Sequence, residues 1–356
     1  MAARSGRSGL LVATLVALVS LSAWGAAWAD ITVPRGFTVQ LYASGDGFEM
    51  GNVAGAGGFP TTTTAAFDQA GMLYLARTGR RYAGGEVDDL WPIYRVPPGG
   101  ARLTPATERR FLHGPPLWSA QVSTGRAGRD VFVTSFDRDR SLGVVYRLVD
   151  GRAELLAGGT PPPGARAQLG QPEGVTADSA GNVYVADRLR GVVIKLDPAG
   201  RVVDPRYASV GRPRLLAVDE ADQLWIGADA GNEAPWRGPS ELWKVPAAGK
   251  ATRVLSGPNL AGMGFGSGGR LFIADRQAAK IFFVTPDGTA VDFAAFTDGD
   301  LPRTLCFAPV TADTRRAGIA GDLFLVAVRR GVFRLNEVLR VTGPFDELPG
   351  KPSPPR

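Results

Sequence analysis

Hydrophobic and polar positions alternate in short blocks along this chain, and the block Gln171–Gly200 shows the pattern most clearly. Three apolar runs, at Gly174–Ala177, Val183–Ala186 and Val192–Leu196, are rich in Val, Tyr and Ile, which is strand rather than helix chemistry. The polar segment Asp178–Asn182 contains Gly and Asn, which tolerate the positive φ of a tight hairpin. The pattern predicts a small antiparallel sheet, which is too small to bury its apolar faces alone.

The same strand–turn–strand pattern recurs along the chain. An aromatic residue in the second strand marks each copy: Tyr74, Phe132, Tyr184, Trp225, Phe272 and Phe324. Successive markers are 58, 52, 41, 47 and 52 residues apart, which is the length of a four-stranded propeller blade with its loops. The sequence therefore predicts an all-β fold, a six-bladed β-propeller of four-stranded antiparallel blades. Either Thr38–Ala43 or Val338–Val341 supplies the strand that closes the last blade.

Residues Pro172–Asp187 resemble the NHL repeat, and the chain after residue 29 resembles the TolB-like group of six-bladed propellers. That group includes gluconolactonase-like and sugar-dehydrogenase-like proteins. The segment Pro34–Ala43 resembles the start of some sorbosone-dehydrogenase-like chains, which use pyrroloquinoline quinone, and Gly321–Ala327 resembles their last blade. The resemblance implies the propeller fold and leaves the chemistry open.

The first 29 residues have the composition of an export signal. Arg4 and Arg7 precede an apolar core at Leu10–Leu21, and Ala27-Trp-Ala29 matches a signal-peptidase site. We expect cleavage before Asp30 and a periplasmic or secreted bacterial protein. An uncleaved membrane anchor is the alternative, because the apolar stretch is just long enough to span a bilayer.

After cleavage, residues 30–343 form a single propeller, and the Pro-rich residues 344–356 form a disordered tail. The net charge of +6 falls to +4 when Arg4 and Arg7 are removed, and most of the basic residues are scattered over loops. We expect no nucleic-acid partner, no stable membrane insertion of the cleaved protein, and a monomer. The single Cys306 excludes an intramolecular disulfide and is read as a buried, inert thiol.

In such a propeller, the loops into strand one and the loops between strands two and three open on one face, around the central channel. This face is the usual binding site. The repeat places a mixture of arginines and other polar residues there, which suits a small polar or sugar-like ligand or a protein partner. The candidate ligand-binding residues are Arg77, Trp118, Glu173, Arg188, Arg214, Asn259, Arg276 and Arg303.

Asp187, Asp229 and Asp275 end the second strand in three blades. Because the position repeats, a structural role in capping backbone N–H groups is favoured over metal ligation. Glu173 is the exception, since it is the acidic residue among the strand-one entries. It could bind a cation, act as a general base, or pair with Arg188 or Arg214.

Gluconolactonase-like proteins hold a divalent cation with a carboxylate, an Asn and an Asp from different blades. The resemblance implies that Glu173, Asn259 and either Asp229 or Asp275 would hold such a cation, with Ca²⁺ as the candidate cofactor. These residues offer the donor types, but they do not match that family's motifs one by one.

His113 is the only histidine, so a multi-histidine metal site is excluded. It lies in the connector between blades one and two, on the predicted binding face, and is the candidate proton carrier. An exposed loop histidine with no role is the alternative.

Four functions remain open on the sequence. The first is an exported, non-catalytic propeller that binds a small ligand or a partner. The second is a metal-dependent lactonase, in which a cation polarises the lactone carbonyl. The third is a sugar dehydrogenase that uses pyrroloquinoline quinone, and the fourth is a streptogramin-lyase-like enzyme. The last two need a catalytic histidine, which only His113 could supply.

Overall fold

The computed structural model describes residues 30–46, 59–60, 62–76, 92–115, 117, 119–126, 130–137, 142–231, 238–246, 250–328 and 335–349. Within these residues the chain is built almost entirely of short β-strands. The N-terminal segment contributes β1 (Ile31–Thr32), β2 (Thr38–Gly45) and β3 (Phe59–Pro60).

The blades follow in chain order, and four-stranded antiparallel sheets recur along the chain. Blade one contains the antiparallel strands β4 (Thr64–Phe67), β5 (Leu73–Ala76) and β6 (Tyr94–Val96), whereas the next strand, β7 (Ala101–Leu103), pairs in parallel with β2. The strands of blades two and three are β8 (Ser119–Thr124), β9 (Val131–Asp137), β10 (Leu142–Val149), β11 (Arg152–Gly158), β12 (Pro172–Ala177), β13 (Val183–Asp187), β14 (Val192–Leu196) and β15 (Val202–Ser209). Those of the last three are β16 (Pro213–Val218), β17 (Leu224–Asp229), β18 (Ser240–Val245), β19 (Thr252–Ser256), β20 (Leu260–Phe265), β21 (Leu271–Asp275), β22 (Lys280–Val284), β23 (Ala290–Phe296), β24 (Leu301–Phe307), β25 (Leu323–Val328) and β26 (Leu335–Thr342).

Helices play a small part in the described chain. One α-helix, α1 (Ala312–Arg316), lies between β24 and β25, and short 3₁₀ turns cover Glu108–Phe111, Ser267–Gly269 and Phe345–Glu347. Among the residues that the structure describes, no helix has the length and apolar character needed to cross a bilayer.

The turn between strands one and two explains why the repeat folds as it does. In blade three, the Asp178 carboxylate accepts N–H bonds from Ala180 and Asn182 and a bond from the Tyr184 hydroxyl at 3.0 Å. The spacing of six residues from Asp to aromatic recurs in the Asp68–Tyr74 and Asp219–Trp225 pairs. The aromatic that marks each repeat is thus tied to the hairpin turn in these three blades.

The blades close into a ring around their first strands. Each of β4, β8, β12, β16, β20 and β24 packs against the next, and β24 packs against β4. Buried apolar clusters fill the spaces between neighbouring blades, with one cluster at each of the six interfaces among the described residues. The chain is therefore a six-bladed, all-β propeller, as the repeat predicted.

The N-terminal strand β2 closes the last blade. It pairs antiparallel with β26, with Thr38 opposite Thr342 and Val39 opposite Val341. Of the two strands that the sequence offered, Thr38–Ala43 is the outer strand. Val338–Val341 belongs to β26, the third strand, because β26 also pairs with β25.

The C-terminal segment begins as part of the folded domain. Phe345 packs at 4.9 Å (ring to ring) from Phe37 and is buried. The fully buried Arg270 donates to the carbonyl oxygens of Phe345, Leu348 and Pro349. Residues 344–349 of the predicted tail are thus ordered against blade five, and residues 350–356 lie outside the described residues, as does the predicted signal segment 1–29.

Candidate functional site

A β-bulge near the start of the inner strand shapes the channel mouth. In blades two to six the pairing between strands one and two slips by one residue, so that the inner strand carries an extra residue. Such a bulge bends the strand and re-aims a side chain. The positions within the slips are Ala120, Glu173–Gly174, Arg214, Ala261 and Arg303.

Two of these bulges, in blades three and four, carry charged side chains that meet. Arg188 follows the end of β13, and its Nη1 lies 2.5 Å from Asp229 Oδ2 and 3.5 Å from Glu173 Oε2. The 2.5 Å contact has the distance of an ion pair without the angle of a hydrogen bond. Arg214 Nε lies 3.1 Å from Asp229 Oδ1. We call Glu173, Arg188, Arg214 and Asp229 the arginine–carboxylate cluster.

The cluster is nearly removed from water. The side chains of Glu173 and Arg188 are each 7% exposed, Asp229 is 6% and Arg214 is 13% exposed. Arg214 also donates from Nη2 to the Leu260 carbonyl, which joins blade four to blade five. The cluster therefore connects three consecutive blades at the channel.

Neutral polar residues of blade two hold the backbone beneath these charges. Thr134 Oγ1 donates to the Glu173 carbonyl at 2.5 Å, and Gln121 Nε2 donates to the Arg214 carbonyl at 2.9 Å. Gly174 allows this packing, because a Cβ there would lie 2.6 Å from the Arg214 carbonyl oxygen. Gln121 and Thr134 were not among the sequence candidates. Their strands, Ser119–Thr124 and Val131–Asp137, contain several other polar residues, so the sequence pattern did not single these two out.

Burial dominates the electrostatics of Glu173. Desolvation raises its pKa from 4.5 to about 7, and Asp229 raises it further, while Arg188 and Arg214 oppose the shift. With Glu173 protonated, the four side chains of the cluster carry one net positive charge. With Glu173 ionised, they carry none.

The two other strand-end aspartates have a different role. Asp187 accepts N–H bonds from Gly170 at 2.6 Å and from Gln171 and Arg190, each at 3.2 Å. Asp275 accepts N–H bonds from Asn259, Gln277 and Ala278 at 3.0–3.2 Å. These two carboxylates cap backbone groups, whereas Asp229, at the same repeat position, pairs with two arginines.

Three further candidates lie around blades five and six. Asn259 is buried, and its Nδ2 donates to the Gly238 carbonyl at 2.6 Å. The backbone N–H of Arg276 donates to the Asn259 carbonyl, and burial lowers the pKa of the half-buried Arg276 guanidinium. Arg303 occupies the bulge of β24.

His113 lies in blade one. Its ring packs edge-on against Tyr74, 5.1 Å between centroids, and its backbone N–H donates to the Ile93 carbonyl. The residue is buried, and this burial lowers the pKa of the imidazole. The described contacts of His113 are therefore with blade one rather than with the cluster. Arg77 and Trp118 lie outside the described residues.

The predicted cation donors do not form a common set in this geometry. Arg188, itself a cation, stands between Glu173 and Asp229, and Asp275 is engaged with backbone N–H groups. Across the described ranges, no three His, Cys, Asp or Glu side chains are grouped in a way that could hold a metal ion. The carboxylates of Glu173 and Asp229 thus face a guanidinium in this structure, and a cation held by Glu173, Asn259 and Asp229 or Asp275 stays a prediction.

Comparison with solved structures places the chain among six-bladed propellers. The pyrroloquinoline-quinone-bound aldose sugar dehydrogenase from Streptomyces coelicolor is 14% identical, with a TM-score of 0.57 over 87% of this chain and 100% of that chain. A gluconolactonase from Xanthomonas campestris is also 14% identical, with a TM-score of 0.54 over 81% and 87% of the two chains. Virginiamycin B lyase from Staphylococcus aureus is 12% identical, with a TM-score of 0.51 over 86% and 99%.

At these identities the likeness shows the fold alone. Neither a protein-family profile nor a curated protein matches the sequence. The chain is thus a six-bladed β-propeller whose structural relatives include gluconolactonases and a sugar dehydrogenase.

Proposed function

We propose that the protein is an exported, monomeric propeller that binds a small hydroxylated ligand carrying an anionic group, such as a sugar acid, at the channel mouth. The arginine–carboxylate cluster is the observation that supports this function. The guanidinium group of arginine can donate two parallel hydrogen bonds to a carboxylate and also binds hydroxyl groups. Two buried arginines, Arg188 and Arg214, offer such donors in fixed positions.

The cluster is hard to explain by stability. Burying four charged groups costs desolvation energy that their mutual attraction only partly offsets, and apolar residues of similar volume usually serve a core at least as well. The chain itself provides the comparison, since the equivalent bulges of blades two and five carry Ala120 and Ala261. Retaining charges at blades three and four is therefore better explained by a ligand than by folding.

Glu173 makes the proposed affinity depend on pH. Below its pKa of about 7 the cluster carries a net positive charge and attracts an anion, whereas above it the charge is balanced. A bound anion also favours the protonated carboxyl, so binding near pH 7 takes up a proton. Neutral sugars lack this coupling.

Isothermal titration calorimetry with gluconate, glucuronate and neutral glucose tests the proposal. We expect the sugar acids to bind several-fold more tightly at pH 6 than at pH 8, and we expect proton uptake when buffers of different ionisation enthalpy are compared. Glu173→Gln should remove the pH dependence, and Arg188→Met should weaken binding by at least tenfold.

The matched control is Arg201→Ala, which removes an exposed arginine that pairs with Asp197 elsewhere in blade three. It should bind as the unsubstituted protein does. Equal binding by Arg188→Met and Arg201→Ala, or no binding of any sugar acid, contradicts the proposal. If a protein partner is the ligand instead, Leu189→Asp should abolish its capture, because Leu189 is 71% exposed beside Arg188.

Hydrolysis of a lactone is a second candidate function, and the raised pKa of Glu173 favours it. A carboxyl that titrates near 7 can take a proton from water at neutral pH, and an arginine beside it can stabilise a developing oxyanion. A pH-stat assay with sugar lactones, with and without a chelator, tests this function. Turnover that survives the chelator and is lost in Glu173→Gln supports it, whereas no turnover removes it.

A further inference from the structure

Blades five and six repeat the two arginine positions of the arginine–carboxylate cluster. Arg276 follows the last residue of β21 as Arg188 follows the last residue of β13. The Arg188 N–H donates to the Gln171 carbonyl at 2.9 Å, and the Arg276 N–H donates to the Asn259 carbonyl at 3.0 Å. In each blade the acceptor is the residue that immediately precedes the inner strand. Arg276 therefore holds in blade five the place that Arg188 holds in blade three.

The second arginine of the cluster also has a counterpart. Arg214 lies in the register slip of blade four and follows a proline, and Arg303 lies in the slip of blade six and also follows a proline. The inner strands approach each other closely at both places. A Cβ at Gly174 would lie 2.6 Å from the Arg214 carbonyl oxygen, and a Cβ at Gly262 would lie 2.5 Å from Thr304 Oγ1. The inner strands β20 and β24 therefore meet as β12 and β16 do.

The two carboxylates of the cluster are replaced by apolar residues at this second boundary. Val328 in β25 holds the position of Asp229 in β17, because each residue follows the partner of the proline before the bulge arginine. Ala261 occupies the bulge of blade five, where blade three has Glu173. Val328 is buried, at 2% exposure. At these repeat positions, blades five and six thus keep the arginines and lack the carboxylates.

Arg276 has the surroundings of a charge that awaits a partner. Among the described residues, its guanidinium has no hydrogen-bond or ion-pair partner. The side chain is half-buried, and this burial lowers the pKa of the guanidinium, with no described carboxylate opposing the shift. The neighbouring Asp275 carboxylate is occupied by backbone N–H groups. Withdrawing a charge from water without pairing it is costly, so a ligand explains this arginine better than folding does.

We propose that Arg276 and Arg303 form a second anion-binding subsite at the channel mouth, which accepts a carboxylate of the ligand where blade four has the Asp229 carboxylate. The contacts of Asp229 with Arg188 and Arg214 show that two arginines in these repeat positions accommodate a carboxylate. The subsite rests on the proposed function, in which the cluster takes one anionic group. A second subsite selects a ligand with two such groups, so the ligand class becomes a sugar diacid.

Val328→Asp tests the subsite without any ligand. It puts a carboxylate where Asp229 stands in blade four, and Val328→Asn is the uncharged control of nearly the same shape. A buried carboxylate without a cationic neighbour costs more than a buried amide, so the order of the two variants reports whether the arginines face this position. We expect the thermal midpoint of Val328→Asp to exceed that of Val328→Asn by about 3 °C. Adding Arg276→Met should reverse the order. Equal midpoints, or the opposite order in the single variants, overturn the subsite.

Isothermal titration calorimetry with glucarate and gluconate, which carry two carboxylates and one, tests the ligand class. We expect glucarate to bind the unsubstituted protein about tenfold more tightly than gluconate does. Arg276→Met should remove this preference. The matched control is Arg126→Met, which removes a partly buried arginine from the turn between strands one and two of blade two, and it should keep the preference.

The outcomes separate the subsite from the proposed function. Equal affinity for glucarate and gluconate in the unsubstituted protein, or an unchanged preference in Arg276→Met, overturns the subsite, while binding of gluconate leaves the proposed function standing. If neither acid binds, the proposed function fails, and the order of the Val328→Asp and Val328→Asn midpoints decides on the anion subsite by itself.

Discussion

The second strands of blades three and four both end in an aspartate, but the two carboxylates bind different partners. The Asp187 carboxylate accepts hydrogen bonds from three backbone N–H groups and so has a structural role. Asp229 pairs instead with the Arg188 and Arg214 side chains within the arginine–carboxylate cluster. Blade five follows blade three, since Asp275 also caps backbone groups.

The difference is local in origin. Gly170 lets the loop before β12 approach Asp187, because a Cβ at Gly170 would lie 2.7 Å from the Asp187 carboxylate. At the entry to blade four, Arg214 presents a guanidinium to Asp229 instead of a backbone amide. The same repeat position thus pairs with arginine side chains in blade four and with backbone N–H groups in blade three.

Asp229→Ala should cause the largest loss of stability among these substitutions. Removing the shared carboxylate leaves two buried guanidinium groups with reduced compensation, so we expect a loss of about 3–5 kcal/mol in the free energy of unfolding. Urea denaturation measures it. Asp292→Ala, which removes a carboxylate that is 74% exposed, is the control and should cost under about 1 kcal/mol. A similar small loss in both variants would falsify the assignment of a buried pair.

Glu173→Gln should change how the stability of the protein depends on pH. Folding raises the pKa of Glu173 from 4.5 to about 7, so the folded state binds more protons than the unfolded state between these values. Stability contributed by this group is present below pH 4.5 and is lost as pH rises to 7, by about 3 kcal/mol. The variant should lack this loss.

Guanidinium or urea titrations at pH 5 and pH 8 measure the effect of Glu173. Both proteins share every other titrating group, so the difference between their pH slopes isolates the Glu173 contribution. Parallel slopes for the unsubstituted protein and Glu173→Gln contradict the raised pKa.

Asp187→Asn should cost about 2 kcal/mol, because the two carboxylate oxygens serve different N–H groups. An amide can accept at one of these positions only, and its NH₂ group then faces a buried backbone donor. Chemical denaturation measures the loss. Ligand affinity should be unchanged, in contrast to Arg188→Met, and an altered affinity contradicts a purely structural role.

Asp275→Asn should have the smallest effect, under about 1 kcal/mol. All three backbone donors reach the same oxygen, Oδ1, which the amide of Asn also provides. Thermal unfolding beside Asp187→Asn tests the pair. A loss as large as that of Asp187→Asn contradicts the one-oxygen arrangement.

The fold was predictable because it repeats. The six-residue spacing from Asp to aromatic in blades one, three and four corresponds to a local hydrogen bond that stabilises the hairpin turn. The closing strand was left open because pairing between β2 and β26 depends on contacts between the two ends of the chain. No local pattern distinguishes Thr38–Ala43 from Val338–Val341 in that role.

The sequence predicted which side chains lie near the channel but not which of them are in contact, and their role in ligand binding stays a prediction. The repeat puts Glu173, Arg188 and Arg214 near the channel, because strand order alone determines that face. The bulges that turn Glu173 and Arg214 toward Asp229 are shifts of register, which apolar periodicity does not reveal. Gln121 reaches from blade two to blade four, a contact that depends on the curvature of the whole ring.

The pairing of β2 with β26 also determines when the ring can close during folding. Thr38 and Thr342 hydroxyls lie 2.6 Å apart across 304 residues of sequence. During synthesis β2 emerges long before its partner β26. Until then β2 is an open strand edge that must be kept from other chains. Loop closure over this length is also slow, so the completion of the final blade sets the earliest time at which the folded ring can exist.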